Sequence, residues 1–507
     1  MAIESRLVLR LWFSLQSLHL AETTSRLLQP RRRLSCSEDQ QGAKVRTPTT
    51  GERWPLDDPA WQAEEVITEF EELRKGLRVP FYIYDKEVPG TMSLEHILWR
   101  GEHCFRKIMM KDPMVAYTAE YWFLKQLREH KWRVRHADEA ELLVIPLMAS
   151  SRHHCDAAPP SWNIMRAIAE TESFKARPRD HLVVMADWRH SDENFHIITH
   201  HTQPRVLWGN YEAYARNNIV VPLARRGFHE DAVDLLKERN ISVFYGGRYN
   251  CGGACRDVRG DIFRQYARNS KGFSKSLLVA TPDWQIGQQM REPTKNRFNL
   301  KLCNNKWLRE QVAGACWGFY KNSAILPRTR FMLSPFGDSP TSTKIYDAIQ
   351  YGAIPVIIAD HAWSMGIAFQ CLVPWDLFSV ALREREAVAQ GRLAELLEGL
   401  ATRIGQHQER RMRKLLAHFR RDLLWRHSQS RVAENVLLEA QLFRRREEHP
   451  SDVCCPFTDR SDWRRRPIRN LTSRQQAALC MPYRSTDSNL CLSRMPWMNL
   501  DWQEHIL

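Results

Sequence analysis

Between Gly337 and Asp347 the chain sets out the residue types that can hold a phosphorylated ligand. Gly337-Asp338-Ser339-Pro340-Thr341-Ser342-Thr343 is small and hydroxyl-rich, and Lys344 and Asp347 come after it. Backbone N–H groups and hydroxyls at the start of a helix can cradle a phosphate. Lys344 stands where the helix macrodipole favours an acid, so a cation there makes most sense facing an anionic ligand. Asp347, three residues on, shares its helix face and can accept hydrogen bonds from ribose hydroxyls.

Those residues need a strand before them and a helix behind them, and the sequence supplies both. Phe331-Met332-Leu333 is an apolar run stopped by Pro335 and Gly337. Lys344 to Tyr351 puts Ile345, Ala348 and Ile349 on one helical face, with Gly352 placed as a C-cap. Ile354 to Ile358 is a β-branched run, as a buried parallel strand requires. A loop in such a unit lies at the carboxyl edge of the sheet, where α/β proteins bind nucleotides. Taken alone, the pattern fits any βαβ unit of any α/β enzyme.

The detail goes further. Pro335, Gly337, Asp338, Ser339, Ser342, Lys344, Ile345, Asp347, Ala348, Gly352, Ile354, Pro355 and Val356 resemble, position by position, the nucleotide-sugar motif of the exostosin-like glycosyltransferases (family 47). Two departures stand out. Lys344 occupies a position where the family usually has Arg, which keeps the charge and loses bidentate recognition. The Pro-Phe pair that usually follows the last strand is absent from His361-Ala362-Trp363-Ser364-Met365-Gly366. The first half resembles the same family through Ile83-Tyr84-Asp85, Asp138 to Pro146, Asp180-His181 and Ile219 to Pro222. The resemblance runs from about residue 79 to 443.

The resemblance implies a GT-B architecture: α/β, two Rossmann-like domains facing each other across a cleft, with C-terminal helices. It also implies an inverting transfer of a sugar from a nucleoside diphosphate sugar, most naturally UDP-linked, to a glycan or glycoprotein acceptor, in the Golgi lumen behind a single-pass anchor. A catalytically inactive glycan-binding or complex-stabilising protein on the same fold is the alternative, and a partner glycosyltransferase is compatible with either.

Other residues join the candidate site. Ile241 to Tyr245 reads as a strand running into Gly246, Gly247 and Arg248, which looks like the family's Phe-Phe-x-Gly-Arg segment. A Gly-Val-Arg-like element should follow, and both Asp257-Val258-Arg259 and Gly260-Asp261-Ile262-Phe263-Arg264 fit it. Gly247, Arg248 and Arg259 are candidates to face the diphosphate, although loop arginines are as often simply solvated. No Asp-x-Asp occurs anywhere in the sequence. Glycosyltransferases that hold the diphosphate through a divalent ion use such a pair. A metal-independent site, with no cofactor, is therefore expected, and basic side chains with a helix N-terminus would neutralise the leaving group. Asp187, after the strand His181 to Met185, is the candidate base for the acceptor hydroxyl. Its alternative is a helix or turn cap. Asp85 holds a similar position, and His181 and His190 are weaker candidates. His153-His154-Cys155-Asp156 and His200-His201 look like metal ligands, but adjacent histidines on a strand point opposite ways.

The whole chain sets the frame. Its 507 residues, 43% apolar and 26% charged, describe a globular protein with room for two or three domains. A net charge of +15 suggests anionic partners. The arginines scatter without a nucleic-acid-binding motif, so nucleic acid is not expected. Twelve cysteines carry no zinc spacing, and suit both a disulfide-bearing luminal protein and a reduced one. Leu7 to Ala21 is broken by Arg10, Gln16 and His19 and falls short of a spanning helix. Strands alternating with helices argue for doubly wound sheets. The expected order is an irregular targeting and stem segment over 1–75, an acceptor-side Rossmann-like domain over 76–236, a nucleotide-sugar domain with closing helices over 237–445, and a tail over 446–507.

Overall fold

The structure is a computed structural model. It describes residues 62–75, 77–85, 93–108, 118–148, 167–184, 196–199, 218–224, 238–248, 258–268, 276–281, 322–336, 342–359, 367–369, 372–382, 384, 387 and 392–448.

Among the described residues, two five-stranded parallel sheets carry the fold. The first is built from β1 (Phe81–Ile83), β2 (Leu142–Ile145), β3 (His181–Val184), β4 (His196–Thr199) and β5 (Asn218–Val220). Its order is β1-β2-β3-β4-β5. The second holds β6 (Ile241–Arg248), β7 (Ser276–Thr281), β8 (Thr329–Pro335), β9 (Ile354–Ile358) and β10 (Val380–Leu382), in the order β10-β9-β8-β6-β7. All of these strand pairs are parallel.

The two orders differ in a way that matters for binding. Among the described residues the first sheet runs in sequence order without reversal, so the doubly wound expectation does not hold for it. The second reverses between β6 and β8. From β6 the chain crosses through helix α4 (Val258–Arg268) to β7 on one side, and from β8 through helix α5 (Thr343–Tyr351) to β9 on the other. Right-handed crossovers in opposite directions put the two helices on opposite faces of the sheet. The core shows this: Val258, Ile262 and Phe263 cluster with Val243, Tyr245, Phe331 and Leu333, whereas Ala348 clusters with Phe244 and Met332. The alternation of side chains along β6 and β8 sorts those residues to their faces.

Helices α2 (Leu94–Ile108) and α3 (Ala119–Arg128) pack against the first sheet. The last three helices among the described residues are α6 (Arg392–Arg403), α7 (Gln406–Leu423) and α8 (Val432–Glu448). The last two do not stay with the second sheet. Trp425, just past α7, donates its indole N–H to the Pro222 carbonyl at 2.6 Å, and Gln441 of α8 reaches Glu141 at 2.7 Å. Gln126 of α3 donates to the Trp425 carbonyl and accepts from the Ala433 N–H. The closing helices thus share their core with both halves.

The segment expected to be irregular ends in a helix. Helix α1 (Ala63–Lys75) sets Ala63, Val66, Ile67 and Phe70 on one face, and that face packs on α7, with Phe70 edge-on to Phe419 at 5.2 Å. Around it, Glu71 accepts from Arg421 and Arg431, and Arg74 pairs with Asp422 and Glu434. Among the described residues no helix is long and apolar enough to cross a membrane.

Candidate functional site

The site begins with the helix that the sequence marks most clearly. Ser342 is its N-cap, and its Oγ accepts from the Lys344 N–H at 3.3 Å. At the other end Gly352 adopts the left-handed conformation, φ 71°, and its N–H closes onto the Ala348 and Ile349 carbonyls. A side chain with a Cβ is strained in that conformation, which is why Gly stands there. The exposed carbonyls of the last turn are taken by two buried arginines. Arg239 donates to the Tyr351 carbonyl at 2.8 Å and Arg420 to that of Gln350 at 2.9 Å. Cations at the C-terminus complement the macrodipole and hold the helix axis against the sheet. Its N-terminus is aimed at the carboxyl edge of β8.

Lys344 lies in the first turn, half-buried, and Asp347 one turn on is 2% exposed. Lys344 thus stands at the start of α5, and Asp347 at its middle, buried. Gly337, Asp338 and Ser339 lie outside the described residues. Thr343 opens the helix.

Across the reversal lies the second group. Gly247 and Arg248 end β6, paired with Ala280 and Thr281 of β7. A Cβ on Gly247 would meet the Tyr245 hydroxyl at 2.8 Å, so the Gly is required for Tyr245 to lay its ring along the strand. That brings the Tyr245 hydroxyl to the carboxyl end of β6. Sequence reading does not single Tyr245 out; the Gly two residues after an aromatic on the same strand face is the available signal. Arg259 is the second residue of α4, and its Nε donates to the Phe336 carbonyl at 3.1 Å. Phe336 is the residue between β8 and the Gly337 loop. Arg259 thus bridges the helix after β6 to the end of β8. The two alternatives for the Gly-Val-Arg-like element separate here: Arg264 lies farther down α4 and is bound by Asp261 at 3.0 Å. Of the two, Arg259 is the one at the edge.

Ser342, Thr343, Lys344, Arg259 and the end of β6 are therefore gathered where the strand order reverses. Crevices at that position, outside the carboxyl ends of the strands, are where open α/β sheets bind ligands. Two helix starts from opposite faces and a guanidinium converge there, which suits a diphosphate.

The chain is similar to known proteins at several levels. A model of the exostosin GT47 domain matches residues 73–400. The chain belongs to the exostosin GT47 family of glycosyltransferases. It is 26% identical over 196 residues to a probable glucuronoxylan glucuronosyltransferase, IRX7, of Arabidopsis thaliana, covering 38% of this chain and 35% of that protein. It is 25% identical over 91 residues to a probable arabinosyltransferase, ARAD1, also of Arabidopsis thaliana, covering 18% of this chain and 20% of that one. The chain thus spans about a third or less of the length of these relatives. Among solved structures, a chain of "Crystal structure of GtfA/B complex" is similar with a TM-score of 0.31 and 10% identity, over 64% of this chain and 60% of that one.

Of the candidates on the side of the first sheet, two are placed by the structure and the others are not. Asp187 and His190 lie outside the described residues, as do His153 to Asp156, His200 and His201. Asp85 is a cap: its Oδ1 accepts from the Leu94 N–H at 3.0 Å and ties the end of β1 to the start of α2. His181 is fully buried at the start of β3, with Nδ1 2.9 Å from the Arg177 carbonyl and Nε2 2.8 Å from the Tyr84 hydroxyl. The carbonyl fixes the proton on Nδ1, so Nε2 accepts from Tyr84. Burial holds the imidazole down at about 4. A neutral histidine with both nitrogens used inside the core is a structural residue, not the base.

Proposed function

We propose that this chain is an inverting, metal-independent glycosyltransferase that moves a sugar from a UDP-sugar to a glycan or glycoprotein acceptor in the Golgi lumen. The observation that carries this reading is the convergence of Arg259, Ser342, Thr343 and Lys344 on the reversal between β6 and β8. In this reading the loop from Gly337 to Thr343, with Asp338, Ser339 and Ser342, cradles the diphosphate together with Gly247, Arg248, Arg259 and Lys344. Asp347 takes the ribose, and Asp187 accepts the proton of the acceptor hydroxyl. Inversion results if that hydroxyl attacks the anomeric carbon from the face opposite the diphosphate. As the glycosidic oxygen bonds to carbon, the bond to the diphosphate breaks, and the cations take up the charge that develops on it.

The two sheets would then form the facing halves of a GT-B cleft, the first carrying the acceptor. A disulfide at Cys104 supports an oxidising compartment. The relatives are named for transfer of different sugars, so family membership leaves the donor sugar and linkage open.

A second reading is a catalytically inactive protein that binds glycans or stabilises a complex, and Lys344 at a usual Arg position favours it. The test is a thermal-shift screen of the purified chain against UDP, GDP, UMP and UDP-sugars, with EDTA present. Stabilisation by UDP that is lost in Asp347→Ala and in the closer mimic Asp347→Asn supports the first reading. UDP binding with neither donor hydrolysis nor transfer supports the second. No shift with any nucleotide in a folded sample sinks the nucleotide site.

A further inference from the structure

Helix α2 presents a row of aromatic rings that the proposed reaction does not use. Among the described residues Trp99 is the exposed large hydrophobic side chain, at 64%. It is flanked on the same helix face by His96 and His103, both exposed. The His96 ring lies 5.8 Å from the indole, and the His103 ring stacks on it at 6.2 Å with an interplanar angle of 20°. Spacings of three and four residues bring these rings together along two turns.

The mount is rigid. Leu94, Ile97, Leu98 and Cys104 are buried on the opposite face, and Cys104 is disulfide-bonded. A Cβ on Gly101 would lie 2.5 Å from the Met148 Cε and 3.0 Å from a Tyr121 ring carbon, so the helix is pressed against Met148 beyond β2 and against α3. Asp85 and Ser93 hold the first turn, accepting from the Leu94 and His96 N–H groups. Nothing in this packing needs a tryptophan on the solvent side.

We infer that the Trp99 face is a binding platform for the uncharged pyranose rings of a glycan chain. The inference rests on the glycosyltransferase reading for its acceptor. The chemistry of the face selects that occupant. An indole offers a flat apolar ring with a negative face, against which the C–H face of a pyranose packs. Imidazoles on either side can donate to and accept from the ring hydroxyls. A lipid surface or an apolar protein partner would require further apolar side chains around the indole, and among the described residues the exposed neighbours on α2 are Glu95, His96, Glu102 and His103. A polyanion would be drawn by unpaired cations, and Arg128 beside this face is already paired with Glu95 at 3.3 Å and with Glu129 at 2.9 Å. The start of α2 lies at the carboxyl edge of β1, so a chain held there runs along the edge of the first sheet, the proposed acceptor side.

Native gels cast with soluble arabinoxylan, with hydroxyethyl cellulose or with heparin test this on the full chain, without nucleotide. The expected result is retardation by one of the neutral polymers, weakened at least fivefold in Trp99→Ala and partly restored in Trp99→Tyr. UDP-induced stabilisation should be unchanged in both variants, which also shows that they fold. Equal retardation of the wild type and Trp99→Ala overturns the platform, as does the absence of retardation by the neutral polymers. So does a Trp99 dependence confined to heparin, to vesicle flotation or to self-association. Trp99-dependent retardation without any response to UDP keeps the platform and removes the glycosyltransferase reading on which its acceptor role rests.

Discussion

The Nε of Arg259 donates to the carbonyl of Phe336 at 3.1 Å, joining the helix after β6 to the residue that ends β8. These are the two strands between which the sheet changes direction. A guanidinium fixed there brings positive charge to the crevice and holds the residue that follows β8 at the same time. Arg259→Ala should weaken UDP binding at least tenfold, about 1.4 kcal/mol. Arg259→Lys should recover only part of it, because an ammonium cannot span the carbonyl and a phosphate in one plane. Titration calorimetry with UDP measures both, and wild-type affinity in the two variants would contradict the role assigned to the switch point.

Ser342 separates capping from ligand binding. Its Oγ accepts from the Lys344 N–H, so Ser342→Ala should cost about 1 kcal/mol of stability. Glycine caps nearly as well as serine, so Ser342→Gly should lose only a few tenths of a kcal/mol. If the hydroxyl also touches the diphosphate, both variants lose UDP affinity alike while their stabilities differ. Denaturant midpoints set beside UDP dissociation constants decide it. Affinity that merely tracks stability would leave Ser342 as a cap alone.

The unit from β8 to β9 is legible in the sequence because local chemistry sets each boundary. The helix expected over Lys344 to Tyr351 runs from Thr343 to Tyr351, Gly352 caps it, and the strand Ile354–Ile358 is as read. Strand β4 is hard to read because it is four residues long with a histidine at its start and another just after it, whereas β7 is an apolar run between Gly272 and Pro282 and carries the signals of a strand, although it is not among those picked out above. Helix α1 is hidden for another reason. Ala63, Val66, Ile67 and Phe70 carry the helical period, but high charge makes the segment resemble a linker, and the surface that it covers comes more than 340 residues later. The Arg259–Phe336 contact is out of reach in the same way: spacing cannot choose between two arginines whose positions depend on where α4 begins. Asp85 shows the limit of position alone, since a carboxylate at the end of a strand serves equally as a base or as a cap.

Helix α1 should be part of the folded body. Arg74 donates to Asn435 at 2.6 Å and lies 3.3 Å from Asp422, which is 1% exposed. Without that cation the buried carboxylate still meets Arg431 at 2.6 Å, but it loses one of the two guanidinium groups that balance its charge. Arg74→Met should therefore cost about 3 kcal/mol. Glu71→Gln should cost less, about 1 kcal/mol, because that carboxylate keeps part of its hydration. A chain starting at residue 77 should lose more than either. Thermal and urea denaturation of the four proteins give the order, and a truncated chain as stable as the full one would show that α1 only rests on the surface.

The buried His181 sets an acid limit on stability. Burial lowers its imidazole from 6.5 to about 4, so between those values the unfolded chain binds a proton that the folded chain refuses. Its contribution is complete above pH 6.5 and is lost as pH falls through 4, by an amount on the order of 3 kcal/mol. Glu434 acts in a lower window. Burial raises its carboxyl, but the partners His130 and Arg74 outweigh that and bring it down to about 2, so its share is lost only below about pH 4.5. Urea midpoints measured from pH 7 to pH 4 should therefore fall in the wild type. They should fall less steeply in His181→Gln, which starts from lower stability and has no proton to take up at this position; the slope that remains belongs in part to His418, whose imidazole burial also holds below its usual range. Tyr84→Phe should lose about 1 kcal/mol throughout and keep the slope, because burial, not the tyrosine hydroxyl, depresses the imidazole. A slope as steep in His181→Gln as in the wild type would place the main acid-sensitive group elsewhere.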